Sequence, residues 1–248
     1  QNKGKNDFFL YKEELNQLNF RGYRLEKARN CIIETIKKNN ILNQCDLLII
    51  LDFDDSGTYT IKLEEIVKAI NYLYSKINIA AVFANQEGTY YDMWTLRHKD
   101  YCPNDFWVDV VKYITKRIKL VDKIKPELFK EVSKNIIEKK TYTFDKKMPP
   151  IKVESAFGGF GIYKLNYALN NKRQYQGSQY IDLEFKTGEK KRIKYQKCEH
   201  VNFNQGLVDQ DLELYILPNL INRDMAINVF PPQVAFGLFI GESNEKNE

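Results

Sequence analysis

Residues 45–57 read Cys-Asp-Leu-Leu-Ile-Ile-Leu-Asp-Phe-Asp-Asp-Ser-Gly. The unbroken apolar run from Leu47 to Leu51 is the pattern of a strand buried on both faces, as in a parallel sheet covered by helices. It stops abruptly at Asp52, Asp54 and Asp55. Carboxylates crowded this closely repel one another, and holding them costs folding energy unless a cation or good solvation neutralises them. In open α/β sheets, ligands bind beyond the carboxyl ends of the strands. If the extended geometry persists past Leu51, side-chain alternation points Asp52 and Asp54 the same way. Mg²⁺ and Mn²⁺ take carboxylate oxygens together with substrate phosphates. The pair Asp52 and Asp54 therefore predicts a bridge between protein, metal and pyrophosphate. A solvated acidic turn is the plainer reading, because Asp-Asp-Ser-Gly is good turn chemistry. The apolar run before it favours the site, since it aims the carboxylates out of a rigid sheet.

Outward from this strand, Arg24 to Lys38 predicts a helix, with Leu25, Ala28, Cys31, Ile32 and Ile36 on one face. Leu63 to Tyr74 predicts a second amphipathic helix, followed by a strand over Ile79 to Phe83. Strand, helix, strand predicts a mostly parallel sheet. Asn104 to Ile118 and Pro126 to Glu138 read as helices, and Ile151 to Glu154 as an edge strand after Pro149-Pro150. Phe157-Gly158-Gly159-Phe160-Gly161 leads into apolar Ile162-Tyr163. Tyr180 to Phe185 and Lys190 to Tyr195 flank Lys186-Thr187-Gly188-Glu189 and predict a hairpin. Leu212 to Leu217 reads as a late strand ended by Pro218-Asn219. Near the start, Phe8 to Tyr11 is a short run that a strand would fit. There is no internal repeat or linker, which predicts one domain over residues 1–241 and a polar, disordered tail over 242–248.

Bulk composition excludes more than it selects. A net charge of +5 with acids and bases interleaved is no nucleic-acid footprint. The lysine-rich stretch Lys186 to Lys197 reads as a solvated hairpin. No run approaches the ~18 apolar residues of a membrane span. Cys31, Cys45, Cys102 and Cys198 form no Cys-x-x-Cys pair, and with only His98 and His200 a Cys/His zinc cluster is excluded. Reduced thiols suit the cytoplasm. The chain begins at Gln1, which reads as a piece of a longer protein, so a secretory lumen follows instead if an anchor precedes it.

Five segments, taken in order, resemble GT-A type nucleotide-sugar glycosyltransferases, especially a subgroup with enzymes of large DNA viruses and capsule-type mannosyltransferases. Arg21-Gly22-Tyr23-Arg24-Leu25-Glu26-Lys27-Ala28-Arg29-Asn30 resembles the Arg-rich helix before the metal strand, with Glu26 and Lys27 as departures. Leu51-Asp52-Phe53-Asp54-Asp55 is similar to the metal strand. Tyr90-Tyr91-Asp92-Met93-Trp94-Thr95-Leu96-Arg97 resembles a Tyr-Asp-x-Trp segment. Glu154 to Lys164 resembles a glycine-rich acceptor loop, and Cys198-Glu199-His200-Val201 a late motif. The resemblance covers about residues 20 to 205. It implies a Rossmann-like mixed, mostly parallel central sheet flanked by helices. Residues 1–19 are too few for the first nucleotide-binding strand and helix of that fold.

The resemblance implies a hexosyl- or deoxyhexosyl-transferase. It would move a sugar from a nucleoside-diphosphate sugar to a glycan or glycoconjugate hydroxyl, with Mn²⁺ or Mg²⁺ as cofactor and host cytoplasm as the site of action if viral. Arg24, Arg29, Asp52 and Asp54 would hold the donor, and Asp52, Asp54 and His200 the metal. Asp92, Trp94, Gly158 and Gly159 would meet the acceptor or sugar, and Glu199 would be the general base. Each residue also has a plainer reading: Arg29 paired with a strand-end carboxylate, Trp94 as core, the glycines as a tight turn, His200 as a hydrogen-bonded core residue. Asp209 and Asp211 are fallback bases. A metal-dependent nucleotidyltransferase and a non-catalytic sugar-binding module remain rival functions.

Overall fold

The computed structural model describes residues 21–39, 44–52, 61–119, 126–139, 142–222 and 239–242. The strand expected at Phe8 to Tyr11, Asp54, and the tail beyond Glu242 lie outside the described residues. The elements in chain order are α1 (Arg21–Lys38), β1 (Leu47–Leu51), α2 (Leu63–Tyr74), β2 (Ile79–Asn85), α3 (Phe106–Thr115), α4 (Pro126–Lys139), β3 (Ile151–Val153), β4 (Phe160–Lys164), α5 (Leu165–Leu169), β5 (Ser178–Glu184), β6 (Lys190–Gln196), α6 (Glu199–Val208), β7 (Glu213–Ile221) and β8 (Phe239–Glu242).

The chain is mixed α/β. A five-stranded sheet in the order β1-β4-β2-β7-β3 is flanked by helices, and β5-β6-β8 form a second, antiparallel sheet. The expectation of a mostly parallel sheet is corrected. Among the described strands of this sheet only β2 and β7 pair in parallel, whereas β1-β4, β2-β4 and β3-β7 are antiparallel. The physical reason is insertion: β1 and β2 run the same way across the α2 crossover, but β4 slots between them and runs against both.

That insertion also corrects the burial of β1. It pairs with β4 alone among the described strands, and Ile49 is 49 % exposed. The strands buried at every residue are β2 and β4. β7 also differs from expectation, running on through Pro218 to Ile221. The β2-β7 register shifts there, between Phe83 and Asn85, and the Pro218 carbonyl accepts from Asn85 Nδ2. A proline is tolerated at such an irregularity because no ladder hydrogen bond is asked of it. Glu242, expected to open the polar tail, pairs with Ile193 as the end of β8.

Two apolar cores lie on the two faces of the sheet. On one, Ala69 and Leu73 of α2 meet Val82, Ala84, Ile162 and Leu217. On the other, Ala81, Phe83 and Tyr163 meet α3, α5 and α6 through Val110, Ile114, Leu165, Phe203 and Leu207. The β5-β6 hairpin turns at Gly188, whose φ of +83° suits a residue without a Cβ. All four cysteines are free thiols. Among the described residues no helix is long and apolar enough to cross a membrane.

Candidate functional site

β1, β2 and β7 run in one direction, so their carboxyl ends share one edge of the sheet. Asp52 follows β1, Asn85 closes β2, and Asn222 follows β7. The loop entering β4 crosses the same edge: Asp52 N–H donates to Gly159 O at 3.0 Å, and Asn222 Nδ2 donates to Gly158 O at 2.8 Å.

The glycine pair has to be glycine. Gly158 and Gly159 sit at φ +64° and +79°. A Cβ on Gly158 would fall 2.4 Å from Ala84 O, and one on Gly159 2.7 Å from Asn222 Nδ2 and 2.8 Å from the Tyr91 hydroxyl. This close approach lets the Gly158 N–H reach Asp92 Oδ2 at 2.9 Å, while Thr95 Oγ1 donates to Asp92 Oδ1 at 2.8 Å. Asp92 is thus oriented on both oxygens while staying partly exposed.

Arg29, on the buried face of α1, is the hub. Its NH2 donates to Asp52 Oδ1 at 3.0 Å, and its Nε lies 2.8 Å from Glu199 Oε1. The second contact is an ion pair and not an aligned hydrogen bond, since Arg29 Nε meets no acceptor in hydrogen-bonding geometry. The guanidinium lies over the rings of Phe157 and Tyr175, at 5.1 and 5.8 Å, an arrangement that favours a cation. Neighbouring Asn30 locks α1 to the loop before β5 by exchanging two hydrogen bonds with the Tyr175 backbone.

Glu199 and His200 open α6, a helix that sequence periodicity did not announce. Glu199 is 2 % exposed. Burial pushes its pKa up, Arg29 pulls it down, and Asp52 and Asp92 push it up again. Glu199, expected as the general base, is placed beneath the surface against Arg29.

His200 is also buried, stacked on Phe157 at 4.0 Å with Tyr175 edge-on at 5.5 Å. Burial and the nearby Arg29 cation hold it neutral by pushing its pKa well below the usual range. Its Nε2 is 3.6 Å from Glu199 Oε1, and neither ring nitrogen has a hydrogen-bond partner among the described residues. It lies in an aromatic layer with Phe157 and Tyr175. The fallback bases are more distant: Asp209 caps the other end of α6, about 15 Å along the helix axis, and pairs with Arg173.

Of the other expected site residues, Arg24 lies on α1, partly exposed, one and a half turns before Arg29. Trp94 is partly buried, and its indole N–H has no partner among the described residues. Arg97 is bonded to Asp105 at 3.0 Å. Phe157, Tyr175, Thr95, Cys198, Asn85 and Asn222 carry the site without having been singled out. Phe157 and Cys198 stood inside quoted motifs, but isolated asparagines after strands give no sequence signal.

No protein-family model, curated protein or solved structure matches this chain. Function therefore has to be read from the site's chemistry. Asp52 and Glu199 flank one guanidinium, and Asp92 lies close enough to both carboxylates to act on them. Both Asp92 and Glu199 are raised first by burial and then by Asp52, with local hydrogen bonds or Arg29 opposing. Asp52 has its side chain 29 % exposed. Among the described residues no three acidic, His or Cys side chains cluster closely enough to hold a metal ion by themselves. Asp54, the other expected ligand, lies outside them.

Proposed function

We propose that this chain is a metal-dependent glycosyltransferase that moves a sugar from a nucleoside-diphosphate sugar to a hydroxyl of a glycan or glycoconjugate. One observation carries the reading. Segments far apart in sequence, holding Arg29, Asp52, Asp92, Gly158-Gly159 and Glu199, meet at the carboxyl ends of parallel-running strands, where α/β sheets place ligands. The order in which they occur along the chain is that of the glycosyltransferase segments they resemble.

The roles follow from exposure. Asp52, with Asp54, would hold Mn²⁺ or Mg²⁺, which when bound supplies positive charge to the departing nucleoside diphosphate. Arg29 fixes Asp52, and Glu199 holds Arg29 in place from below. Asp92 is the carboxylate with reach: it is partly exposed, oriented on both oxygens, and raised in pKa by burial. It takes the proton of the acceptor hydroxyl.

The test is release of nucleoside diphosphate from a panel of nucleotide sugars with Mn²⁺, with and without sugar acceptors. Asp52→Asn and Asp92→Asn should each lower turnover by about 100-fold or more, with unchanged circular dichroism. The rising limb of the pH profile should sit above the ordinary carboxylate value near 4 and be absent in Asp92→Asn. A nucleotidyl product would reverse the assignment, and full activity of both variants would remove the site.

A further inference from the structure

Two buried side chains tie the partly exposed Asp92 to the start of α6. Thr95 Oγ1 donates to Asp92 Oδ1 at 2.8 Å and lies 3.0 Å from Cys198 Sγ, which is 103 positions away in the chain. Thr95 is 2 % and Cys198 5 % exposed. The direction of these bonds follows from counting hydrogens. A hydroxyl has one, and an ionised carboxylate only accepts. With the Thr95 hydrogen committed to Asp92, the Thr95 oxygen is left as an acceptor and the thiol donates to it. Burial and the carboxylates of Glu199 and Asp92 push the Cys198 pKa well above the usual thiol range, so the sulfur keeps its hydrogen. Its other acceptor, Glu199 Oε2, is farther away at 3.9 Å. Cys198 is also the N-cap of α6, where Ser, Thr, Asp or Asn would turn an oxygen to the first N–H groups of the helix. Its side chain makes no capping hydrogen bond, and its hydrogen serves Thr95.

We propose that Thr95 and Cys198 are positioning residues that hold the Asp92 carboxylate in the orientation from which it takes the acceptor hydroxyl's proton. This rests on the reading of Asp92 as the general base. Thr95 grips Oδ1 directly, while the Gly158 N–H grips Oδ2 from the other side at 2.9 Å. Cys198 acts one step further back. Its S–H occupies the Thr95 oxygen, which leaves the Thr95 hydrogen aimed at Asp92. A thiol is a weak donor, so its contribution is smaller than that of the hydroxyl. Both side chains are buried and neither meets the substrate. No proton has to pass along the chain, because the bonds fix a direction and not a charge.

Infrared spectroscopy of the S–H stretch of the full 248-residue chain needs no substrate and tests the link first. The Cys198 band, identified by its loss in Cys198→Ala, should shift in Thr95→Val, which keeps the shape and removes the hydroxyl, and stay in place in Thr95→Ser. Kinetics with a nucleotide sugar and an acceptor then test the role. Per folded molecule, kcat should fall by about tenfold or more in Thr95→Val and by about threefold in Cys198→Ala, with KM unchanged within about twofold. Thr95→Ser, which returns the hydroxyl, should recover most of the loss. An S–H band that does not move in Thr95→Val overturns the link, whether or not the chain transfers sugars. A shifted band with wild-type kcat in both Thr95→Val and Cys198→Ala overturns the positioning role. Full turnover in Asp92→Asn removes the base itself, and the positioning role with it, and is read from a different variant.

Discussion

The two faces of the central sheet are built on different principles. The face under α2 is closed mainly by aliphatic and aromatic side chains, with Leu73, Val82, Ile162 and Leu217 at its centre and the buried Lys164 amine donating to the Lys76 and Ile77 carbonyls at its rim. The face under α1 and α6 encloses Arg29, Glu199, His200 and Asn204 among Phe157, Tyr163, Tyr175 and Phe203. Apolar burial stabilises in proportion to area and tolerates modest repacking. A buried charge is stable only while its partner stays in place. One face therefore supplies stability, and the other spends some of it to fix charged groups near the carboxyl edge of the sheet. β2 separates them, presenting Val82 and Ala84 to the first and Ala81 and Phe83 to the second.

The contrast can be broken from the charged side first. Arg29→Met should cost about 3–5 kcal/mol of unfolding free energy in urea titration, because it strands the buried Glu199 and releases Asp52. Activity should vanish with it. A loss below about 1 kcal/mol would mean that Arg29 is not the hub of the buried network.

On the apolar face, Leu73→Ala removes a fully buried side chain and should cost about 2–4 kcal/mol. The decisive feature is the accompanying pattern: the loss should be the same at low and high salt, and turnover per folded molecule should be unchanged. A salt-dependent loss would show the two faces to be coupled.

The smallest effect is one of pH. His200 is held neutral by burial in the folded chain, whereas in the unfolded chain it takes up a proton below about pH 6.5. A depressed histidine pKa gives stability that is present above that value and lost as pH falls below it, by at most about 1.4 kcal/mol per pH unit. Wild type should therefore lose more melting temperature between pH 7.5 and 5 than His200→Phe, which keeps the stack on Phe157. Parallel pH profiles for the two chains would place a charged histidine there.

Most secondary structure was legible because it depends on local periodicity. α2 spans Leu63 to Tyr74 as its apolar spacing requires, and the hairpin turns where Thr187-Gly188 breaks the alternation. The ends of elements were less legible where a tertiary contact overrode a local signal, as when β7 continues through Pro218. The candidate site was legible as segments: Arg29, Asp52, Asp92, Gly158 and Glu199 all stood in the motifs and do meet. Their exposure was not legible, because whether a carboxylate faces solvent or a guanidinium depends on residues more than a hundred positions away.

The amino-acid sequence by itself determined that this chain alternates strands and helices, that a run of aliphatic residues ends at Asp52, and that Gly158-Gly159 can follow a backbone path closed to other residues. Those are properties of neighbours along the chain: periodicity, charge spacing and the absence of a Cβ. Only the tertiary structure decided that β4 slips between β1 and β2, leaving β1 at an edge with Ile49 in the open. It alone placed Asp92 against the Gly158 N–H and Glu199 against Arg29. Strand order and burial are settled by long-range pairing and by the competition of buried charges for one cation, and no local stretch of sequence encodes either.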